Sequence, residues 1–168
     1  MRTQRLVSLV AGTALVLGAS MASAQQPAAA PPPPPYGTPI TLEQAKKVMA
    51  GAEAEAKKNN WNVVVVVLDS GGNVVMLQRM DGAQFGSIEV AKDKAYSAVA
   101  FRRPTKAFDD ALAQGGANLR LLKLAGASPV EGGIPIVQDG KLIGGVGVSG
   151  VTAAQDAQIA RAGIENLK

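Results

Sequence analysis

A chain of 168 residues with 17 Lys or Arg, 13 Asp or Glu, and neither cysteine nor histidine has a narrow catalytic repertoire. Disulfides, thiol chemistry, histidine-assisted nucleophile triads and ordinary zinc sites are excluded, because each needs one of the two missing residue types. The net charge is only +4 and aromatic residues make up 4% of the chain, so no basic and aromatic interleaving marks a nucleic-acid partner, and none is expected.

The first 24 residues have the pattern of an export signal. Arg2 and Arg5 precede an apolar run from Leu6 to Met21, and the small residues Ala22-Ser23-Ala24 follow it. The apolar run is too short to span a bilayer as a helix. We therefore expect cleavage after Ala24 and a periplasmic or secreted protein that is not inserted into the membrane.

The segment 25–39 reads QQPAAAPPPPPYGTP and contains seven of the ten prolines of the chain. This composition predicts an extended, disordered tether that has almost nothing to bury. The remaining residues, 40–168, are enough for one domain with its own hydrophobic core.

The first half of this domain is predicted to contain a helix and a strand pair. The capping box TLEQ begins a helix at Thr41, which should end near Asn59-Asn60. Five consecutive valines, Val63 to Val67, cannot alternate between core and solvent, so they predict a central strand that is covered on both faces. The turn DSGGN then leads into VVMLQRM, which should pair back as a second strand ending at Met80.

Two helices and an ambiguous segment are expected next. Ser87 is expected to cap a helix that runs to about Arg102, because Pro104 disfavours helical geometry at the residue before it. Thr105 is expected to cap a short helix, KAFDDALA, which ends before the glycine pair 115–116. For 117–129 the pattern is compatible with either a helix or a strand.

The last part of the chain predicts a hairpin and a helix. IPIV and LIGGVGV flank QDGK, in which Asp139-Gly140 favours a tight turn, and a second capping box begins the final helix at Thr152. The whole order predicts an α+β fold in the manner of profilin-like or PAS-like domains. Its antiparallel sheet should have about five strands, with helices on both faces.

The stretch GVGVSG satisfies the dinucleotide-binding pattern G-x-G-x-x-G letter for letter. Such a fold needs a helix followed by a parallel strand, but the 18 residues after Gly150 form one predicted helix and leave no room for the strand. Gly145 and Gly147 instead leave one side of their strand without side chains. This predicts that a helix packs closely on the sheet there.

Glu89 and Asp93 lie one helical turn apart, a spacing that suits a hard cation. Lys92 and Lys94 stand beside them, so a solvated face that neutralises its own charge is favoured over a bound hard cation.

Two blocks of sequence resemble a known family. RMDGAQFGSIEVAKDKAYSAVAF followed by RPT, and GASPVEGGIPIVQDGKLIGGVGVSGVTAAQDAQIARAG, are similar to the GlcG/HbpS-like haem-binding family, which includes the C-terminal domain of PduO-type proteins. The likeness covers 40–168. It implies a profilin-like fold, haem as cofactor and homo-oligomers of up to eight copies. For some exported members it also implies a membrane sensor kinase as partner.

The resemblance also implies a set of haem-site residues. Thr105 matches a threonine that follows a proline and ligates the haem iron, whereas an iron-binding E-x-x-E pair is broken, because Glu89 is followed by Lys92. A hydroxyl is a weak iron ligand, so affinity should come from burying the porphyrin, between subunits, and from pairing its propionates. The further candidates are Arg102 and Arg103 for the propionates, Tyr96, Phe101 and Phe108 for the walls, and Met76 or Met80 as a sulfur ligand.

Three functions remain open at this point. The first is an exported, oligomeric haem-binding protein that acts as carrier, buffer or sensor. The second is an enzyme or accessory protein for a small organic acid or diol-pathway metabolite, with Lys94, Asp81 or Tyr96 as acid or base. The third is a ligandless assembly protein that binds a partner.

Overall fold

The computed structural model describes residues 31–168. The predicted signal peptide and the first part of the predicted tether, 25–30, lie outside the described residues. Within the part of the chain that is described, no helix is both long and apolar enough to cross a bilayer.

Four antiparallel strands form one sheet in the order β2-β1-β4-β3. They are β1 (Val64–Asp69), β2 (Val74–Arg79), β3 (Gly133–Gln138) and β4 (Lys141–Ser149). Strand β1 lies inside the sheet and its valines are buried, as the valine run predicts. The sheet has four strands rather than about five.

The described residues form four α-helices. They are α1 (Leu42–Lys58), α2 (Ser87–Ala100), α3 (Lys106–Ala113) and α4 (Ala153–Glu165). Helices α1 and α4 pack together on one face, and α2 packs on the other. The predicted α+β fold with helices on both faces of an antiparallel sheet is confirmed.

The valine run serves two hydrophobic clusters at once. Val63, Val65 and Val67 point into the cluster under α1 and α4, and Val64 and Val66 point into the cluster under α2. Successive side chains of a strand alternate between its faces, so a strand that is covered on both faces needs no polar positions.

The glycines of β4 let α2 lie directly on the sheet. A Cβ atom added to Gly147 would collide with the backbone of Ala91, and one added to Gly145 would lie 2.6 Å from Cγ2 of Val99. The prediction that a helix packs closely against these glycines is confirmed.

Of the four predicted helix caps, two form as expected. Thr41 and Thr152 each make a complete capping box. Ser87 and Thr105 make no capping hydrogen bond. Both side chains are buried. The hydroxyl of Ser87 accepts a hydrogen bond from Ser149 of β4, and the hydroxyl of Thr105 accepts one from the N–H of Gly133 in β3, instead of from the N–H groups of their own helices.

The segment between α3 and β3 is neither an α-helix nor a strand. Residues Gly116–Lys123 form a 3-10 helix, which follows a glycine pair with positive φ values of 68° and 58°. Helix α2 ends at Ala100 rather than near Arg102, since Arg102 itself has a φ of 52°. This left-handed residue turns the chain into the FRRPT segment.

The end of the proline-rich segment lies against the domain. Leu142 donates to the carbonyl of Pro35 at 2.8 Å and accepts from the N–H of Gly37 at 2.7 Å, and Tyr36 pairs with it in a parallel bridge. The hydroxyl of Tyr36 donates to the carbonyl of Val99 at 3.1 Å. This short pairing lies beside the start of β4, beyond the last β1–β4 pair, and is an isolated bridge rather than a fifth strand.

Candidate functional site

An open cavity of about 430 Å³ lies between the start of α3, strand β3 and helix α4. The FRRPT segment contributes to it from one side and the EGGIP segment from the other. Its walls are largely apolar, and its charged groups belong to helices α3 and α4 and to the approach to β3. The lining includes Pro104, Ala107, Ile134 and Ala157 as walls, with Lys106 and Arg161 as cations.

Both cations of the cavity are paired with a carboxylate. Nζ of Lys106 lies 2.6 Å from Oδ1 of Asp110, and Nη1 of Arg161 lies 3.7 Å from Oε1 of Glu131. The hydrogen bond to Asp110 raises the pKa of Lys106, so this ammonium stays charged. Each cation is about half exposed, so a carboxylate of a ligand can reach both. The pair with Asp110 is itself exposed and contributes little stability, whereas the side chain of Glu131 is only 15% exposed.

Thr105 lies next to this cavity but is completely buried. Its hydroxyl accepts from the N–H of Gly133 at 2.9 Å and donates to the carbonyl of the same residue at 3.4 Å. Its own N–H also donates to that carbonyl, at 3.0 Å. The hydroxyl therefore joins the start of α3 to β3, and one oxygen lone pair remains free for another partner.

Three of the other predicted site residues lie together. The rings of Phe101 and Phe108 meet edge to face with centroids 5.1 Å apart, and the guanidinium of Arg103 lies 5.6 Å from the centroid of Phe108. Phe108 is only 5% exposed, so its ring belongs to the interior. Arg103 is exposed and available to a ligand at this corner of the domain.

Arg102 contacts the proline-rich segment. Its Nη1 atom donates to the carbonyl of Pro34 at 3.3 Å, and its guanidinium carbon lies 5.3 Å from the ring centroid of Tyr36. A role for Arg102 in binding propionate would compete with both contacts.

Tyr96 and Met80 do not join Thr105. The ring of Tyr96 lies against Gly72 and Gly126, away from the cavity, and is about half exposed. Met80 follows β2 at one edge of the sheet, whereas Thr105 binds β3 at the other edge, three strand spacings or roughly 14 Å away.

Met76 and Met80 instead pack against the core cluster under α1 and α4. Within one copy of the domain, therefore, neither thioether can ligate an iron atom that Thr105 also ligates.

The self-neutralising face predicted around Glu89 forms through Lys92 but not through Lys94, which is buried. Nζ of Lys92 lies 2.8 Å from a carboxylate oxygen of Glu89, and Asp93 is exposed. Among residues 31–168, no three acidic side chains come together in a way that could hold a metal ion.

Lys94 does not belong to that solvated face. It is 1% exposed, and its Nζ donates to Oδ2 of Asp156 at 2.8 Å and to the carbonyl of Val148 at 3.0 Å. Burial raises the pKa of the Asp156 carboxyl, against the opposing effect of Lys94. The helical spacing of Lys94 with the buried Ala91 and Ala98 is the sequence pattern that indicates this burial.

The proposed acid or base residues of the enzyme alternative are not brought together. Lys94 is enclosed, Asp81 lies in the exposed loop after β2, and Tyr96 lies on the far side of α2 against Gly126. A substrate in contact with one of them would not contact the other two.

The domain matches known proteins along almost its full length. Residues 40–165 match the family described as Haem degrading protein HbpS-like. Protein GlcG of Escherichia coli (strain K12) is 39% identical over 110 residues, which are 66% of this chain and 81% of GlcG. The crystal structure of HbpS is 36% identical with a TM-score of 0.70, and the match covers 77% of this chain and 90% of that one.

A third match has a ligand. The crystal structure of the PduOC:Heme Complex is 30% identical with a TM-score of 0.70, over 77% of this chain and 95% of that one. The expected cofactor, haem, is thus bound by a relative with the same fold. Because the family match spans nearly the whole domain and these relatives are at least 30% identical, the chain belongs to the HbpS-like family.

Proposed function

We propose that this protein binds haem in the cavity between α3 and α4. The observation that carries the proposal is a largely apolar cavity of about 430 Å³ with two cations, Lys106 and Arg161, on opposite helices, each paired with a carboxylate that also lines the cavity. Burial of the porphyrin between Pro104, Ile134 and their neighbours supplies affinity, and the two cations suit two propionates. Haem binding by the PduOC relative supports the same ligand.

The residues present fit the porphyrin better than they fit the iron. The chain has no histidine or cysteine, so the two strongest protein ligands of haem iron are missing. Thr105 keeps one free lone pair, but its hydroxyl is held by Gly133 below the cavity wall. Ligation by Thr105 therefore requires the start of α3 to move away from β3. Affinity should rest mainly on porphyrin burial and propionate pairing.

Titration of the purified protein with haemin tests the proposal. We expect a saturable Soret shift, weakened about tenfold by the double variant Lys106→Met/Arg161→Met, which removes both propionate partners. Lys46→Met is the matched control, since Lys46 is as exposed as Lys106 and is paired within its own helix in the same way. A flat titration of the wild-type protein would refute haem binding.

Haem degradation is the second candidate, and the description of the family supports it. The same protein, loaded with haemin and given a reductant in air, should then lose its Soret band with time. A stable Soret band under these conditions would favour a carrier, buffer or sensor.

The proposal also includes export, assembly and a partner. The N-terminal pattern up to Ala24 supports cleavage and a periplasmic or secreted location. N-terminal sequencing of the protein from the cell envelope tests cleavage, and light scattering tests for a homo-oligomer.

Co-purification with a membrane sensor kinase, with and without haemin, tests the sensor role. An oligomer with a flat haemin titration would favour the ligandless assembly protein.

A further inference from the structure

A buried ion pair connects the two helices that lie on opposite faces of the sheet. Lys94 extends from α2 and Asp156 belongs to the first turn of α4, and their charged atoms are 2.8 Å apart. Both residues are at most 2% exposed. The remaining carboxylate oxygen accepts from the N–H of Val151 at 3.2 Å, and Lys94 also donates to the carbonyl of Val148. Every buried side-chain polar atom among the described residues has a partner.

This pair packs directly against Gly132. A Cβ atom on Gly132 would lie 2.9 Å from Nζ of Lys94 and 3.0 Å from Cβ of Asp156, and the φ of Gly132 is 127°. On its other side the carbonyl of Gly132 accepts from the N–H of Val148 at 3.0 Å. Gly132 is therefore enclosed by the ion pair and β4, and only glycine fits in this position.

The next residue, Gly133, connects Gly132 to Thr105. It exchanges hydrogen bonds with the hydroxyl and the N–H of Thr105, and a Cβ atom on Gly133 would lie 2.7 Å from Cγ2 of Thr105. Gly133 lines the cavity, as do the two neighbours of Thr105 in the chain. Ala157, which follows Asp156, lines the cavity from α4. The ion pair is thus connected to both walls of the cavity without lining it.

We infer that Lys94 and Asp156 are positioning residues for the proposed haem cavity. They hold Gly132 and Gly133 in place, and through Thr105 they set the separation between the start of α3 and helix α4. This inference rests on the proposed function for the identity of the ligand. A buried ion pair contributes little net stability relative to apolar residues of the same shape, so the geometry it imposes is the larger part of its effect.

The test removes both charges together. In Lys94→Met/Asp156→Leu the new side chains have similar shapes to the old ones. Both charges are absent, so no charge is left buried without a partner. We expect this double variant to be more stable than either single variant, because each single variant leaves one unpaired charge in the core. Val48→Ala is the control, since Val48 is fully buried in the hydrophobic cluster under α1 and α4. It lowers the stability of the domain without contacting Gly132 or Gly133.

Two measurements are made on the wild type, the double variant and the control. The first is hydrogen exchange at the N–H of Gly133, which we expect to become about tenfold faster in the double variant and to stay protected in Val48→Ala. The second is the haemin dissociation constant with the position of the Soret band. We expect binding to weaken about tenfold and the band to move in the double variant only.

The two readouts distinguish failure of the inference from failure of the proposed function. Wild-type exchange at Gly133 in the double variant would overturn the inference whether or not haemin binds. Faster exchange with unchanged haemin binding would overturn it too, because the cavity would then not depend on the pair. If the wild type binds no haemin, the proposed ligand is wrong, and the exchange at Gly133 alone decides whether the pair positions this wall.

Discussion

The ring of Tyr36 lies beneath the guanidinium of Arg102, whose central carbon is 5.3 Å from the ring centroid. The tyrosine hydroxyl also donates to the carbonyls of Val99 and Ala100 at the end of α2. The proline-rich segment is thereby fixed to the FRRPT segment, which contributes to the cavity.

Removal of the Tyr36 ring should release this end of the tether. Tyr36→Ala loses the cation–π contact and both hydroxyl bonds, which together contribute about 1 kcal/mol at a half-exposed position. We expect proteolytic cleavage within 31–39 to become about fivefold faster, in proportion to the open population. Tyr36→Phe is the control, because it keeps the ring over Arg102 and loses only the hydroxyl. Equal cleavage rates in Tyr36→Ala and the wild type would show that the contact does not hold the segment.

Helix α2 should not tolerate a side chain on Gly147. A methyl group there meets the backbone of Ala91, which cannot move without displacing the helix. We expect Gly147→Ala to lower the free energy of unfolding by about 1–3 kcal/mol, the usual range for overpacking a tight interior. Urea denaturation measures it. Gly86→Ala is the comparison, since a Cβ atom there has no neighbour within 4 Å, and a loss of similar size in both variants would contradict the packing argument.

The sequence predicts those elements that are determined by interactions between residues close together in the chain. The valine run, the two capping boxes and Asp139-Gly140 depend on neighbours within a few residues, and the structure confirms each of them. In the Asp139-Gly140 turn both φ values are positive, at 50° and 72°, as this hairpin turn requires.

The predictions that fail depend on distant partners. Thr105 matches a helix cap, but its hydroxyl binds a residue 28 positions away, and Lys94 matches a solvated face, but its partner is 62 positions away. For Thr105 no residue within one turn indicates this contact, whereas for Lys94 the neighbours Ala91 and Ala98 indicate burial but not the partner. The site cannot be predicted from local sequence for the same reason. Lys106 and Arg161 line one cavity only because α3 and α4 both lie beside β3 in the folded domain.

Thr105 offers a test that separates its structural role from iron ligation. Thr105→Val keeps the shape but removes the hydroxyl, so the N–H of Gly133 loses its acceptor, at a cost of about 1–3 kcal/mol. Thr105→Ser keeps the hydroxyl and should lose less. Thermal unfolding without haemin measures the structural part. If Thr105 also ligates iron, the Soret band of the Val variant should differ from that of the Ser variant, and identical bands would remove Thr105 from the list of ligands.

The turn between β1 and β2 predicts a dependence of stability on pH. Partial burial raises the pKa of Asp69, but the hydrogen bonds donated by Asn73 and Gly71 outweigh this effect, so the pKa lies below its ordinary value. A carboxyl group with a lowered pKa in the folded state stabilises the protein above its unfolded pKa, about 3.9. This contribution should disappear as the pH falls through the folded pKa.

The variant Asp69→Asn isolates that contribution. Its amide oxygen can still accept from Gly71, but it carries no charge and does not titrate, so the wild type should melt at a higher temperature than the variant at about pH 7. The difference should shrink below about pH 4, once the wild-type carboxylate becomes protonated. Thermal melts of both proteins across this range measure it. A difference that stays constant down to about pH 2 would mean that the charge of Asp69 does not contribute to the turn.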